Sequence, residues 1–244
     1  MTEATLAGGP HGPPAQVDRD AVLAALGTVR DPELDESLTE LGFVSEVQVD
    51  GGTVRARLRL PTYWCAPNFA YLMAADADIA LRSVPGVRRV EVLLDDHFAS
   101  DEINHGIAER RSFQRSFEGL ADDELDELRL LFRRKALVAR QQRLLRALLD
   151  QGTTVEQLGR LRLGDLAPSP ELEAYRQRRA ELGLDTSPAA PLVVDTDGNP
   201  IPAELLEAHL RVARLTRVSI EGNAGFCRGM LATRYQLPLH ERDG

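Results

Sequence analysis

The sequence predicts an α+β fold: a small mixed sheet covered by helices, followed by a mainly helical region. Three observations predict it. Up to about Asp96, apolar residues at helical spacing and apolar residues at strand spacing follow one another in the order helix, hairpin, helix, strand. The turn signals Asp50-Gly51-Gly52 and Pro85-Gly86 separate those runs. Beyond Asp96 the periodicity is mostly helical.

The first helix is read from Val22, Leu23, Leu26 and Val29, with Asp18 and Asp20 available as caps. Pro32 interrupts it, and Gly42 suits the stop after a short second turn. A hairpin follows. Val44, Val47 and Val49 lead into the glycine turn, and Val54, Ala56, Leu58 and Leu60 alternate on the return strand. The segment "PTYWCAP" then opens a helix that runs to about Val84. Along it Asp76 belongs at the margin of the apolar face, because a buried unpaired carboxylate is costly. "VRRVEVLLD" gives a third strand. After Asp96, Ser100 is a candidate cap for a helix beginning at Asp101. A long helix follows over residues 121–150, with Leu125, Leu128, Phe132, Leu145 and Leu148 as its stripe and Arg133-Arg134-Lys135 on a solvated face. "SPELEAYRQRRAELG" forms another helix, and Pro202 introduces a last one. "IEGNAGFCRGML" reads as a glycine-rich turn that leads toward a helix.

Of the 244 residues, 43% are hydrophobic and 27% charged, as in ordinary globular chains. The formal net charge of −9 argues against non-specific binding to nucleic acid or to an anionic membrane. The apolar runs are too short to span a bilayer. The start "MTEATLAGGPHGPPAQ" lacks a basic n-region and an apolar centre, so residues 1–17 are expected to form a disordered leader and the chain to be cytoplasmic. Two cysteines cannot make a disulfide scaffold, and in a reducing compartment both are free thiols. Walker A, dinucleotide-binding and Gly-x-Ser-x-Gly motifs are missing from the sequence.

Cys65 carries the sharpest chemistry. Pro67 is well placed as an early helical residue, which sets the thiol beside the first free N–H groups, where the helix dipole favours thiolate. A thiolate there is a soft metal ligand and a nucleophile; the alternative is a small core residue. Thr62 and Tyr63 are candidates for holding the loop by hydrogen bonds. Trp64 is read as a shield for the thiol, an anchor for a partner, or a core residue. A second metal site is conceivable at His97, Glu102 and His105, since Glu102 and His105 stand at Glu-x-x-His spacing. With Asp101 also in reach, such a site would be weak, and ordinary surface residues are the competing reading. Cys227 is either a further ligand or a small residue at an interdomain seam. One chain lacks the four thiolates of a cluster cage, although two copies would pool four.

The first part resembles the PaaD/SufT family of metal–sulfur cluster biosynthesis domains. The resemblance covers about a third of the chain and rests on "VRDPELDESLTELGFV", a hairpin, "PTYWC", a helix and "VPGVRRVEV", in that order. Ala66 stands between Cys65 and Pro67, where the family has Cys-Pro directly. The resemblance implies a domain over residues 18–97, with residues 98–244 as a helical region for client binding or oligomerisation. It also implies that the loop of Asp31 and Glu33 approaches the cysteine loop and offers oxygen ligands. Turn chemistry around Pro32 is the other reading of that pair. The function it implies is that of a maturation factor and not an enzyme, which handles iron or an iron–sulfur cluster transiently. The client is a metalloenzyme, on the PaaD likeness a multicomponent di-iron oxygenase, and a homodimer is possible. A non-metal adaptor or assembly chaperone is the competing class. A thiol enzyme lacks an evident base.

Overall fold

The computed structural model describes residues 17–110 and 122–238, with the side chains of 122–124 excepted. The expected leader, Val17 apart, lies outside the described residues. Asp18 caps the first helix, α1 (Arg19–Thr28), by accepting from the Asp20 amide at 3.0 Å. Val22 and Leu26 on its inner face are buried. The helix ends before Pro32 is reached, and the segment after it folds into a tight loop bridged from Arg30 to Ser37.

Strands β1 (Val44–Asp50), β2 (Thr53–Arg59) and β3 (Arg89–Asp95) lie in that order in one sheet. The β1–β2 pair is antiparallel and the β2–β3 pair parallel, with helix α2 (Pro67–Arg82) as the crossover. Val44, Val47 and Val49 do not follow strict alternation, and a register shift between Val44 and Glu46 explains why. It restores the pairing of these valines with Leu58, Ala56 and Val54 on the inner face. Val54, Ala56 and Leu58, with Val90, Val92 and Leu94 of β3, are buried beneath the helices. The outer face is charged, and Arg55–Glu91 (2.7 Å) and Arg57–Asp95 (2.6 Å) tie β2 to β3 across it.

Helix α3 (Ser100–Ala108) packs on β3 and buries Ile103 and Ile107. Ser100 is its first residue rather than its cap; the hydroxyl donates back to the His97 carbonyl at 2.8 Å. On α2, Asp76 does sit at the margin, where it pairs with Arg129 at 2.8 Å. Asp78 is the buried carboxylate of that helix, held by Arg82 at 2.6 Å.

The second half is built on α4 (Asp122–Asp150), the single turn α5 (Val155–Leu158), α6 (Pro170–Glu181) and α7 (Leu206–Tyr235). Leu137, Leu144, Leu145, Leu158, Leu163, Leu172, Tyr175 and Leu192 form its core. The fully buried Gln141 satisfies that core's polar atoms: it accepts from Tyr175 Oη at 2.7 Å and from Val194 N at 2.9 Å.

Helix α7 contradicts the reading of "IEGNAGFCRGML" as a turn. It passes through Gly222, Gly225 and Gly229 without a break. Ala224 and Leu231 are buried in the core of the first sheet layer, and Arg234 donates to the carbonyls of Leu60 (3.1 Å) and Asp96 (2.7 Å). Those contacts outweigh the roughly 1 kcal/mol that each helical glycine costs relative to alanine. The first core therefore takes residues from α1, the sheet, α2, α3, α4 and the end of α7. Gly42 marks where α7 lands. Its φ of +74° suits glycine, and a Cβ there would stand 3.2 Å from Leu231 Cδ2.

Candidate functional site around Cys65 and Cys227

β2 ends at Arg59, and the chain turns through Pro61–Ala66 before Pro67 opens α2. Thr62 organises the turn. Its Oγ1 lies 3.3 Å from Cys65 Sγ and accepts from the Trp64 amide at 3.3 Å. The segment after β3 pins the other side, since Phe98 N donates to the Tyr63 carbonyl at 3.1 Å and His97 Nε2 lies 2.7 Å from the Cys65 carbonyl. His97 Nδ1 accepts from the Ala99 amide at 3.2 Å, so the ring proton sits on Nε2 and both nitrogens are committed. Burial also lowers the pKa of this imidazole. His97 is thus a buried brace for the cysteine loop, and the expected metal set of His97, Glu102 and His105 is not assembled. His105 Nε2 lies 3.3 Å from Glu109 on the surface, and Glu102 is exposed.

Trp64 is 73% exposed, which excludes a core role. Its ring meets Tyr63 edge-on at 4.9 Å and Phe98 at 5.3 Å, and both of these are themselves well exposed. An aromatic platform therefore stands in solvent beside the partly exposed Cys65.

Asp31 is buried and shapes its own loop: Oδ1 accepts from the amides of Glu33 (2.8 Å) and Leu34 (2.9 Å). Burial raises its pKa to about 6 against the lowering effect of those amides. Glu33 is partly exposed, and its Oε1 lies 3.4 Å from Asn223 Nδ2 of α7. Arg228, on the same stretch of helix, pairs with Glu36. One turn of α7 is thereby fixed across this loop, and Cys227 lies on that turn. Burial pushes the Cys227 thiol up to about 11, and the charges of Asp31, Cys65 and Glu33 push the same way. The structure thus gathers Cys65, Cys227, Asp31 and Glu33 into one electrostatic neighbourhood. Among the described residues, no three His, Cys, Asp or Glu side chains form a ready-made metal-holding group. The neighbourhood holds two soft and two hard donor side chains, which are not brought together as a metal cage among the described residues.

Asp35 is the residue that sequence reasoning overlooked. Its carboxylate is 1% exposed and pairs with Arg140 (2.7 Å) and Arg178 (2.6 Å). Burial pushes its pKa up, but these two arginines outweigh that and hold it below the usual carboxylate range. Nothing in "DPELDES" distinguishes this acid from its neighbours.

The family model for "iron-sulfur cluster assembly protein" matches residues 19–94. An uncharacterised protein of Methanocaldococcus jannaschii is 35% identical over 95 residues, which are 38% of this chain and 98% of that relative. Iron–sulfur cluster carrier proteins of Synechocystis sp. and Deinococcus radiodurans are 42% and 37% identical over 73 residues. Those residues are 30% of this chain but only 20% of either carrier. No helix among the described residues is long and apolar enough to cross a membrane. By its matched elements, and by a relative that it covers almost end to end, this chain belongs to the iron–sulfur cluster assembly protein family.

Proposed function

We propose that this chain takes up iron or an iron–sulfur cluster as transient cargo and delivers it to a client metalloenzyme, acting as a carrier and not as a catalyst. The observation that supports the reading is that α7, tied to this loop through Asn223 on Glu33 and Arg228 on Glu36, sets Cys227 within electrostatic reach of Cys65, Asp31 and Glu33. Two thiols supply half of the four sulfur ligands that a cluster takes. Cargo held by half its ligands accepts the remainder from the next protein, which is the condition for passing it on. In the loaded state Cys65 is a thiolate ligand at the entrance of α2, because coordination displaces the thiol proton. The high pKa of Cys227 makes its recruitment proton-linked, so the second sulfur binds better as pH rises. Asp31 and Glu33 offer oxygen donors that suit a ferrous ion before sulfide is added. The exposed Trp64 platform is the docking point for the client. The further assignment to a multicomponent di-iron oxygenase is supported by the Pro61-Thr62-Tyr63 likeness alone.

Anaerobic reconstitution with ferrous iron and sulfide tests the reading, with iron and sulfide per chain and the visible absorption as readouts. Wild type loads, Cys65→Ala loses most of its cargo, and Cys227→Ala retains cargo that a chelator removes faster. Equal loading in all three proteins would refute the assignment. So would a wild type that never takes up iron while still co-purifying with a partner at fixed stoichiometry.

A further inference from the structure

Helix α7 leaves large apolar side chains in solvent: Val212 is 62% exposed, Leu215 71%, Val218 51% and Phe226 69%. At about 100° per residue they share one stripe, roughly 120° wide, with Ser219, Gly222 and Gly229. Arg211 is its one charged member. A Cβ on Gly222 or on Gly229 would meet nothing within 4 Å, so no contact among the described residues explains these glycines. Each nevertheless costs the helix about 1 kcal/mol relative to alanine.

We propose that this face pairs with the same face of a second copy of the chain, α7 against α7, antiparallel about a two-fold axis between residues 220 and 221. The sizes along the stripe are self-complementary under that rotation and no other occupant is needed to explain them. Leu215 comes opposite Phe226, Val212 opposite Gly229, and Ser219 opposite Gly222, so small residues sit at the crossing point and large ones fill the flanks. Gly229 lines an apolar groove of about 550 Å³ with Pro61, Phe226 and Met230, which is where Val212 of the second copy enters. From Arg211 to Gly229 the stripe is about 27 Å long and one helix wide, a footprint of roughly 300 Å² per copy. That is well under half of a standard stable interface, so the dimer is weak and reversible, with a dissociation constant of about 10 µM–1 mM. The two Cys227 residues then lie about 20 Å apart along the helix axis. Two copies hold two separate sites instead of pooling four thiols around one cluster, and the pairing asks nothing of the cargo.

Sedimentation velocity on the full chain, over concentrations bracketing that range, tests the proposal. Wild type passes from monomer to dimer. Gly222→Leu fills space that is open in the single chain and favours the helix, so the monomer stays folded by circular dichroism. Gly222→Leu and Leu215→Glu each raise the dissociation constant by at least ~100-fold, since two-fold symmetry counts every loss twice. Leu215→Glu combined with Phe226→Lys restores the dimer, because antiparallel pairing sets each glutamate against a lysine, whereas parallel pairing sets like charges together. A wild type that remains monomeric throughout overturns the proposal, as does a dimer indifferent to both single substitutions. Loss in the single variants without recovery in the double variant overturns the antiparallel register.

Discussion

Replacing Asp35 by asparagine removes one charge from a place where three groups share it. The carboxylate, 1% exposed, holds Arg140 through two hydrogen bonds of 2.7 and 2.8 Å and Arg178 through one of 2.6 Å. Arg140 and Arg178 are themselves nearly sealed from solvent, at 4% and 8%. Removing one partner of a buried ion pair costs about 3–5 kcal/mol, since the stranded charge is left without compensation. Here Arg178 keeps Glu181 at 2.5 Å and Arg140 keeps the Ala174 carbonyl at 2.6 Å, which places Asp35→Asn near the lower limit, about 3 kcal/mol. The backbone adds a second, separable contribution. Asp35 has a φ of +53°, a conformation that asparagine tolerates and alanine does not, so Asp35→Ala costs about 1–2 kcal/mol more. Urea unfolding followed by far-UV circular dichroism measures both. A loss below about 1 kcal/mol for Asp35→Asn would refute the buried-triad argument, and equal losses for asparagine and alanine would refute the backbone part.

Asp31 gives a pH-dependent prediction. Its folded pKa of about 6 lies above the unfolded value, so the folded state binds the extra proton and stability falls as pH rises from about 4 to about 6. Metal-free Asp31→Asn is therefore more stable than wild type at pH 7 by about 1–3 kcal/mol, and the gap closes near pH 4; a gap independent of pH would contradict this. Gly42→Ala forces a Cβ into a left-handed residue pressed against Leu231 and lowers stability by about 1–2 kcal/mol in the same urea assay, where a neutral result would count against that contact. Trp64→Ala changes stability by less than about 0.5 kcal/mol, because the ring is exposed, but slows cargo transfer to a client, measured as metal content of the client over time. Unaltered transfer would remove the aromatic platform from the docking surface.

The sheet layer was legible because its residues repeat at the period of the structure they form. Val54, Ala56, Leu58 and Leu60 alternate and are buried; Val22 and Leu26 recur one helical turn apart and are buried. Only the spacing of Val44 and Val47 breaks alternation, and the bulge in β1 between Val44 and Glu46 accounts for the extra residue. Legibility failed where tertiary contacts overrode local preference. Gly222, Gly225 and Gly229 signal a break in isolation, yet Ala224, Cys227 and Leu231 recur at helical spacing straight through them, and that pattern was the better guide. The nearness of Cys227 to Cys65 had no local signal at all. It depends on where a helix from the far end of the chain comes to rest, which is fixed by Arg228 on Glu36 and Arg234 on Asp96.

That late arrival has a consequence during synthesis. A nascent chain that has emerged as far as Asp96 already contains Cys65, Asp31 and Glu33, but Cys227 is still to be translated. Until α7 leaves the ribosome and settles over the Asp31 loop, Cys65 stands without the second thiol. On the proposed carrier role, the position of the second cysteine thus acts as a timer that delays two-thiol capture until about 130 residues beyond Asp96 have been translated.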